Sequence, residues 1–223
     1  MAKKNQRKQT ESTQAADLAQ VVSSNSLCLQ SLPKDITANY EIHEWRHACA
    51  ILRNDFPAEY EDIISVLREF RLKKSHLIQP GGRKSKISEA IDSQFYAKNP
   101  PWVEKNFSTQ IVVDGRATDS PTHNVDCFRN GVAIELEWNN KDPFFDRDLN
   151  NFRLLFDLRV VSVGVIITRC DDLQDIFDAL GRGDSFGAST THMSKLLPKL
   201  QGGGGGGCPI LVFGIRKSLY VED

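Results

Sequence analysis

The sequence predicts an α/β fold, a central mixed β-sheet flanked by helices. Three observations carry the prediction. Apolar residues recur at helical spacing over roughly 41–108, then at a period of two or in continuous β-branched runs beyond Thr109. A strand, a helix and a strand follow one another at Val132–Trp138, Phe145–Leu158 and Val160–Thr168, the order of a crossover joining a parallel pair. With 223 residues, 40% of them apolar, the chain is long enough to bury a core of that size.

Residues 1–38 are rich in Gln, Ser, Thr and Lys and read as a mobile polar and basic arm. One domain follows over 39–223, mainly helical over 41–108 and a sheet core over 109–216. Ile42, Trp45, Cys49 and Leu52 predict a first helix, and Tyr60, Ile63, Ile64, Leu67 and Phe70 a second. After the loop Gln79-Pro-Gly-Gly82, Ile87, Ile91 and Phe95 predict a short third. Strands are expected at Gln110–Val113, Asn124–Phe128, Val132–Trp138 and Val160–Thr168, with a last buried strand at Pro209–Phe213. Asp171–Leu180 and His192–Leu200 read as helices. The run Gly202–Gly207 reads as a flexible connector, since it lacks the Lys-Ser/Thr ending of a phosphate loop.

Composition narrows the function classes. No apolar run approaches the length needed to cross a bilayer, and the charged start leads into no apolar signal core, so the expected location is the cytoplasm. Five cysteines, widely spaced and without a CxxC pair, read as reduced packing residues. The net charge is −1, but the charges are segregated: Lys3, Lys4, Arg7 and Lys8 crowd the start, and Arg68 to Lys86 holds seven basic residues against Glu69 alone. Such blocks suit phosphate contact or a solvated surface.

The chemistry concentrates on one hairpin. Asn130-Gly131 favours a two-residue type I′ turn, whose central residues need positive φ. That turn sets Arg129 against Val132, Phe128 against Ala133, Cys127 against Ile134 and Asp126 against Glu135, with Glu137 one pleat further on the same face. Val132, Ile134, Leu136 and Trp138 then point to the apolar side. Opposed carboxylates in mid-sheet are destabilising, and a hard divalent cation resolves the repulsion.

The spacing Asp126-(x8)-Glu135-x-Glu137, on a hairpin followed by helix and strand, resembles the active-site signature of the PD-(D/E)xK nucleases. Within them it is most similar to the BglII, BstYI and BamHI group of type II restriction endonucleases, over most of 41–216. The resemblance implies a restriction-endonuclease-like fold and a homodimer that binds a short palindromic DNA duplex and cuts one phosphodiester per subunit with Mg²⁺. It implies Asp126 and Glu135 as metal ligands, Ile134 as a carbonyl ligand, and Glu137 as a catalytic group where most of the superfamily has Lys, leaving the general base open. Glu89 is a further acidic candidate, with Ser88 aligning about as well. DNA contacts are expected from Lys73, Lys74, Arg83, Lys84 and Lys86, from Asn139, Asn140 and Lys141 beyond the catalytic strand, and from Arg182, Ser189 and Thr190. A cognate DNA methyltransferase in the same system would fit, with no direct complex expected.

Two rival readings stand beside this one. His43-Glu44-Trp45-Arg46-His47 spells HExxH, which on a helix would put two imidazoles on one face for zinc in a metallopeptidase, with Glu61 or Glu69 as a third ligand. Arg46 beside a zinc ligand weighs against it. The other rival is a DNA-binding protein on the same scaffold that does not cut.

Overall fold

A computed structural model of the chain describes residues 26–79, 84–120 and 122–223. Two short helices, α1 (Leu27–Gln30) and α2 (Lys34–Asn39), open it. Leu32 and Ile36 are buried in the main core cluster, so 26–38 is packed structure rather than part of an arm. The rest of the predicted arm, with Lys3, Lys4, Arg7 and Lys8, lies outside the described residues.

The first predicted helix is instead a strand and a helix. β1 (Tyr40–Trp45) pairs antiparallel with β9 (Ile210–Ile215), and α3 (Ala48–Asp55) follows. Arg46 and His47 both take left-handed backbone angles, φ 57° and 56°, which turn the chain sharply between them. The helical spacing joined Ile42 and Trp45, which lie on opposite faces of a strand, to Cys49 and Leu52, which a helix buries. α4 (Pro57–Glu69), with Pro57 in its first turn, buries Tyr60, Ile63, Ile64, Val66 and Leu67, as the second stripe predicts. After β2 (Leu72–Lys73) and α5 (Lys74–Ile78) comes α6 (Lys86–Tyr96), the predicted third helix. Its first turn is capped by the Ser85 hydroxyl, which accepts from the Ser88 N–H at 2.9 Å.

The central sheet has six strands in the order β1-β9-β8-β7-β6-β3, with β3 (Val103–Lys105), β6 (Val125–Arg129), β7 (Val132–Leu136) and β8 (Val163–Arg169). β7, β8 and β9 run parallel, while β1, β3 and β6 pair antiparallel, giving the mixed α/β sheet expected. The predicted strand at Gln110–Val113 lies outside it: β4 (Thr109–Val113) and β5 (Arg116–Ser120) form a separate two-stranded ribbon whose Ile111, Val112 and Val113 are exposed. The helix α7 (Pro143–Asp157) carries the crossover from β7 to β8. Beyond β8 lie a 3₁₀ turn, Asp171–Leu173, then α8 (Gln174–Ala179), the turn Gly183–Phe186 and α9 (Met193–Gln201). The short β10 (Tyr220–Val221) closes the chain beside β2.

Two apolar layers sandwich the sheet. One holds Val132, Ile134, Leu136 and Trp138 against α3, α4 and α6; the other holds Ala133 with Phe145, Leu149, Phe152 and Leu155 of α7. The glycine tract between α9 and β9 belongs to the second layer and is no loose connector. A Cβ on Gly205 would fall 2.4 Å from Ile210 Cδ1, and one on Gly206, at φ 57°, would fall 2.6 Å from Arg153 Cγ. The Gly206 carbonyl accepts from Trp45 Nε1 at 3.2 Å and from Arg46 Nε at 3.1 Å. Only residues without side chains allow that approach.

Candidate active site

The Asn130-Gly131 turn sets the register as the sequence predicts. Both residues take positive φ, 46° and 80°, and the pairs are Arg129 with Val132, Phe128 with Ala133 and Cys127 with Ile134. The regular pairing then stops one residue before Asp126 and Glu135. On the other side of β6, Val103 pairs with Phe128 but Lys105 with Val125, so two residues of β3 span three of β6. This irregularity turns Asp126 out of the ladder. Its Oδ2 accepts the Leu136 N–H at 2.9 Å instead.

Asp126 and Glu137 line one cavity of about 300 Å³, with Leu136, Asn140, Arg147, and Lys84, Ser88 and Asp92 from the α6 region. Glu137 is 2% exposed; its Oε2 accepts from Asn140 Nδ2 at 2.7 Å and its Oε1 from Arg147 Nη2 at 3.2 Å. Glu135, 1% exposed, lies deeper. Its Oε1 is 3.1 Å from His123 Nε2, which is also 3.1 Å from Asp148 Oδ1. Arg147 Nη2 reaches Asp148 Oδ1 as well, at 3.0 Å.

Burial without enough positive charge raises these acids. Asp126 is pushed up to about 6 by burial and by the charges of Asp92 and Asp148, against the pull of the Leu136 N–H and Lys84. Glu135 is raised by burial, Asp148 and Asp126, and held back by His123; Glu137 is raised by burial and Asp148. For His123, burial opposes the charged form, but the hydrogen bonds to Asp148 and Glu135 outweigh it and push the imidazole up to about 9. Carboxylates that resist ionisation when alone are a fit for a divalent cation, whose charge offsets their repulsion.

The structure revises several expected site residues. Ile134, paired with Cys127 and Val165 inside the sheet, is buried in the apolar core and does not line the cavity, whereas Leu136, on the same face but beyond the end of the β6 pairing, does. Glu89 is exposed and pairs with Lys86 at 2.7 Å; Ser88, one residue earlier, faces the cavity. HExxH lies on β1 and the turn after it, so no helical face joins its histidines. His43 Nε2 bonds Glu41 Oε1 at 2.8 Å, and Glu44 Oε2 accepts the Cys49 N–H in the first turn of α3. A zinc site of that kind is absent from the motif.

The expected DNA contacts divide. Lys84 reaches the cavity, with Nζ 2.6 Å from Asp92 Oδ2. Lys73 and Lys74 sit beside the C-terminal strand, Lys73 paired with Val221 and Lys74 Nζ 3.6 Å from Glu222, and Arg83 lies outside the described residues. Arg68 pairs with Asp35 at 2.6 Å, so the basic block is dispersed among local partners rather than gathered in one stripe. Asn140 is spent partly on Glu137. Lys141 bridges Thr190, Asp142 N–H donates to the Ser189 carbonyl, and Asn140 and Thr191 exchange two hydrogen bonds, N–H to Oγ1 at 3.1 Å and N–H to carbonyl at 2.8 Å. Asn139, at φ 61°, buries its Oδ1 without a partner, and Arg182 does the same with Nε.

His123, Asp148 and Arg147 were not singled out from the sequence. The signal lay in α7: Asp148 falls on the stripe of Phe145, Leu149, Phe152 and Leu155, where a carboxylate is out of place.

A family model described as Restriction endonuclease BglII/BglIII matches residues 40–215, from the first residue of β1 to the last of β9. The chain belongs to that family. It is therefore a restriction-endonuclease relative, a nuclease family whose substrate is DNA, and enzymes of this kind usually use divalent metal ions. No curated protein matches the chain. No helix among the described residues is long and apolar enough to cross a membrane.

Proposed function

We propose that this protein is a type II restriction endonuclease that hydrolyses phosphodiester bonds of double-stranded DNA with Mg²⁺, as a cytoplasmic homodimer on a short palindromic site. One observation carries the reading: the family match spans a hairpin on which Asp126 and Glu137 line one cavity, with Glu135 buried on the same strand and close enough for the charge of Asp126 to act on it. Asp126 and Glu135 would hold the cation, which supplies positive charge to the phosphate in the transition state. Leu136 replaces Ile134 as the candidate main-chain ligand, because it borders the cavity. Glu137, oriented by Asn140 and Arg147, would receive a proton from the attacking water once ionised. Lys84 and Arg147, on the cavity wall, would offset the repulsion between these acids and the DNA backbone.

The test is incubation of the purified chain with plasmid and Mg²⁺, followed by sequencing of the ends. Discrete fragments sharing one symmetric terminal sequence are expected. Tight DNA binding with no cleavage under Mg²⁺, Mn²⁺ or Co²⁺ would reject the enzyme in favour of a non-cutting DNA-binding protein.

A further inference from the structure

α7 buries two polar side chains that packing does not explain. Asp148 and Asn151, three residues apart, share the helix face that carries Phe145, Leu149 and Phe152 against the sheet. Asp148 is fully buried and its Oδ2 has no hydrogen-bond partner; Asn151 is 3% exposed and neither its Nδ2 nor its Oδ1 has one. Buried polar atoms left this way cost stability unless a water or an ion satisfies them.

His123 faces them. Its Nε2 lies 3.1 Å from both Asp148 Oδ1 and Glu135 Oε1, and one ligand atom from each of the three residues lies within 4.8 Å of the others. Ligand bonds of about 2.1 Å in an octahedral shell put neighbouring donor atoms about 3 Å apart, which matches the two separations to the imidazole. His123 and Asn151 also line a cavity of about 210 Å³, distinct from the one that holds Asp126 and Glu137, with Arg147 standing between the two. Of the three residues only His123 borders that cavity, with Asn151 beside it, so solvent reaches the cluster from the imidazole side.

We infer that His123, Glu135 and Asp148, with the Asn151 amide at the edge, form a second divalent-cation site. It shares Glu135 with the site under Proposed function but goes beyond that reading and needs no DNA. An imidazole nitrogen beside carboxylate and amide oxygens favours first-row transition cations over Ca²⁺ or Mg²⁺, and Mn²⁺, the weakest binder of that series, is the one that paramagnetic resonance can follow.

The experiment titrates the full-length protein, without DNA, with Mn²⁺, reading free ion by electron paramagnetic resonance and bound ion by pulsed resonance for ¹⁴N coupling from imidazole. The wild type is expected to bind two ions per chain with ¹⁴N coupling. His123→Gln is expected to bind one, with the coupling lost, and Asp126→Asn to bind one with the coupling kept. Asp148→Asn, which keeps the shape of the side chain, should weaken the second ion at least tenfold and serves where His123→Gln does not fold. A wild type that binds Mn²⁺ without ¹⁴N coupling, or ¹⁴N coupling that survives His123→Gln, would overturn the inference, whereas one ion per chain with the coupling would leave it standing and count against the Asp126 site. Plasmid cleavage by the same preparation is scored separately: two ions bound with no cleavage under any metal would sink the nuclease reading and leave this site standing.

Discussion

Replacing Asp126 by Asn removes a charge that the apo fold holds at a cost. The carboxyl stands at about 6 instead of 3.8, a rise of about 2 units, and each unit is worth about 1.36 kcal/mol, so the ionised side chain costs the folded state up to about 3 kcal/mol. The sign follows from the direction. Below about pH 4 the group is protonated in both states and costs nothing; between about 4 and 6 the unfolded chain releases its proton first, so stability falls; above 6 the full cost is present. Asn keeps a carbonyl oxygen to accept the Leu136 N–H. Asp126→Asn is therefore expected to melt as much as 6–12 °C higher than the wild type at pH 8, taking about 2–4 °C per kcal/mol for a domain of this size, and to melt with it at pH 3.5. Thermal unfolding in EDTA at the two pH values measures this. Saturating Mg²⁺ should raise the wild-type melting temperature at pH 8 and leave that of the variant nearly unchanged, while cleavage is lost. A variant that melts at or below the wild type at pH 8, with an undiminished response to Mg²⁺, would refute the account of a strained, cation-seeking carboxylate.

Other substitutions test the remaining assignments. Glu89→Ala removes an exposed partner of Lys86 and should change the cleavage rate less than twofold, whereas Glu137→Gln should lower it at least a hundredfold with DNA binding retained in a gel-shift assay. Ile36→Ala, at a 1% exposed position in the segment first expected to be an arm, should cost about 2–5 kcal/mol in urea unfolding. Gly205→Val drives a side chain into Ile210 and should lower stability by about 1–3 kcal/mol in the same measurement, a loss no flexible linker would show.

What was legible in the sequence was local and chemically specific. Asn130-Gly131 encodes its own turn, and from it the register of β6 and β7 and the apolar face of Val132, Ile134 and Leu136 followed without tertiary information. The departure at Asp126 was not readable, because the irregularity arises from pairing with β3, which no local pattern in 125–129 announces. The first helix was misread because three- and four-residue spacing does not distinguish one helix from a strand that turns into one; the deciding fact is the positive φ of Arg46 and His47, residues that carry no glycine signal. The glycine tract was read from composition, and its neighbours Ile210 and Arg153 reach it only in the folded chain. Asp148 was visible as an oddity in the α7 stripe, but its partner His123 lies 25 residues away, joined to it only by the fold.

The segment after β7 does not hang loose from the sheet. Residues 140–142 are stitched to 189–191 by main-chain bonds, and Arg169, 2% exposed beneath Phe177 and Phe186, clamps that second segment through Thr190 Oγ1 and the Phe186 carbonyl. Asn140 then grips Glu137. An unbroken run of hydrogen bonds thus leads from the buried guanidinium through the two loop segments to an acid deep in the cleft.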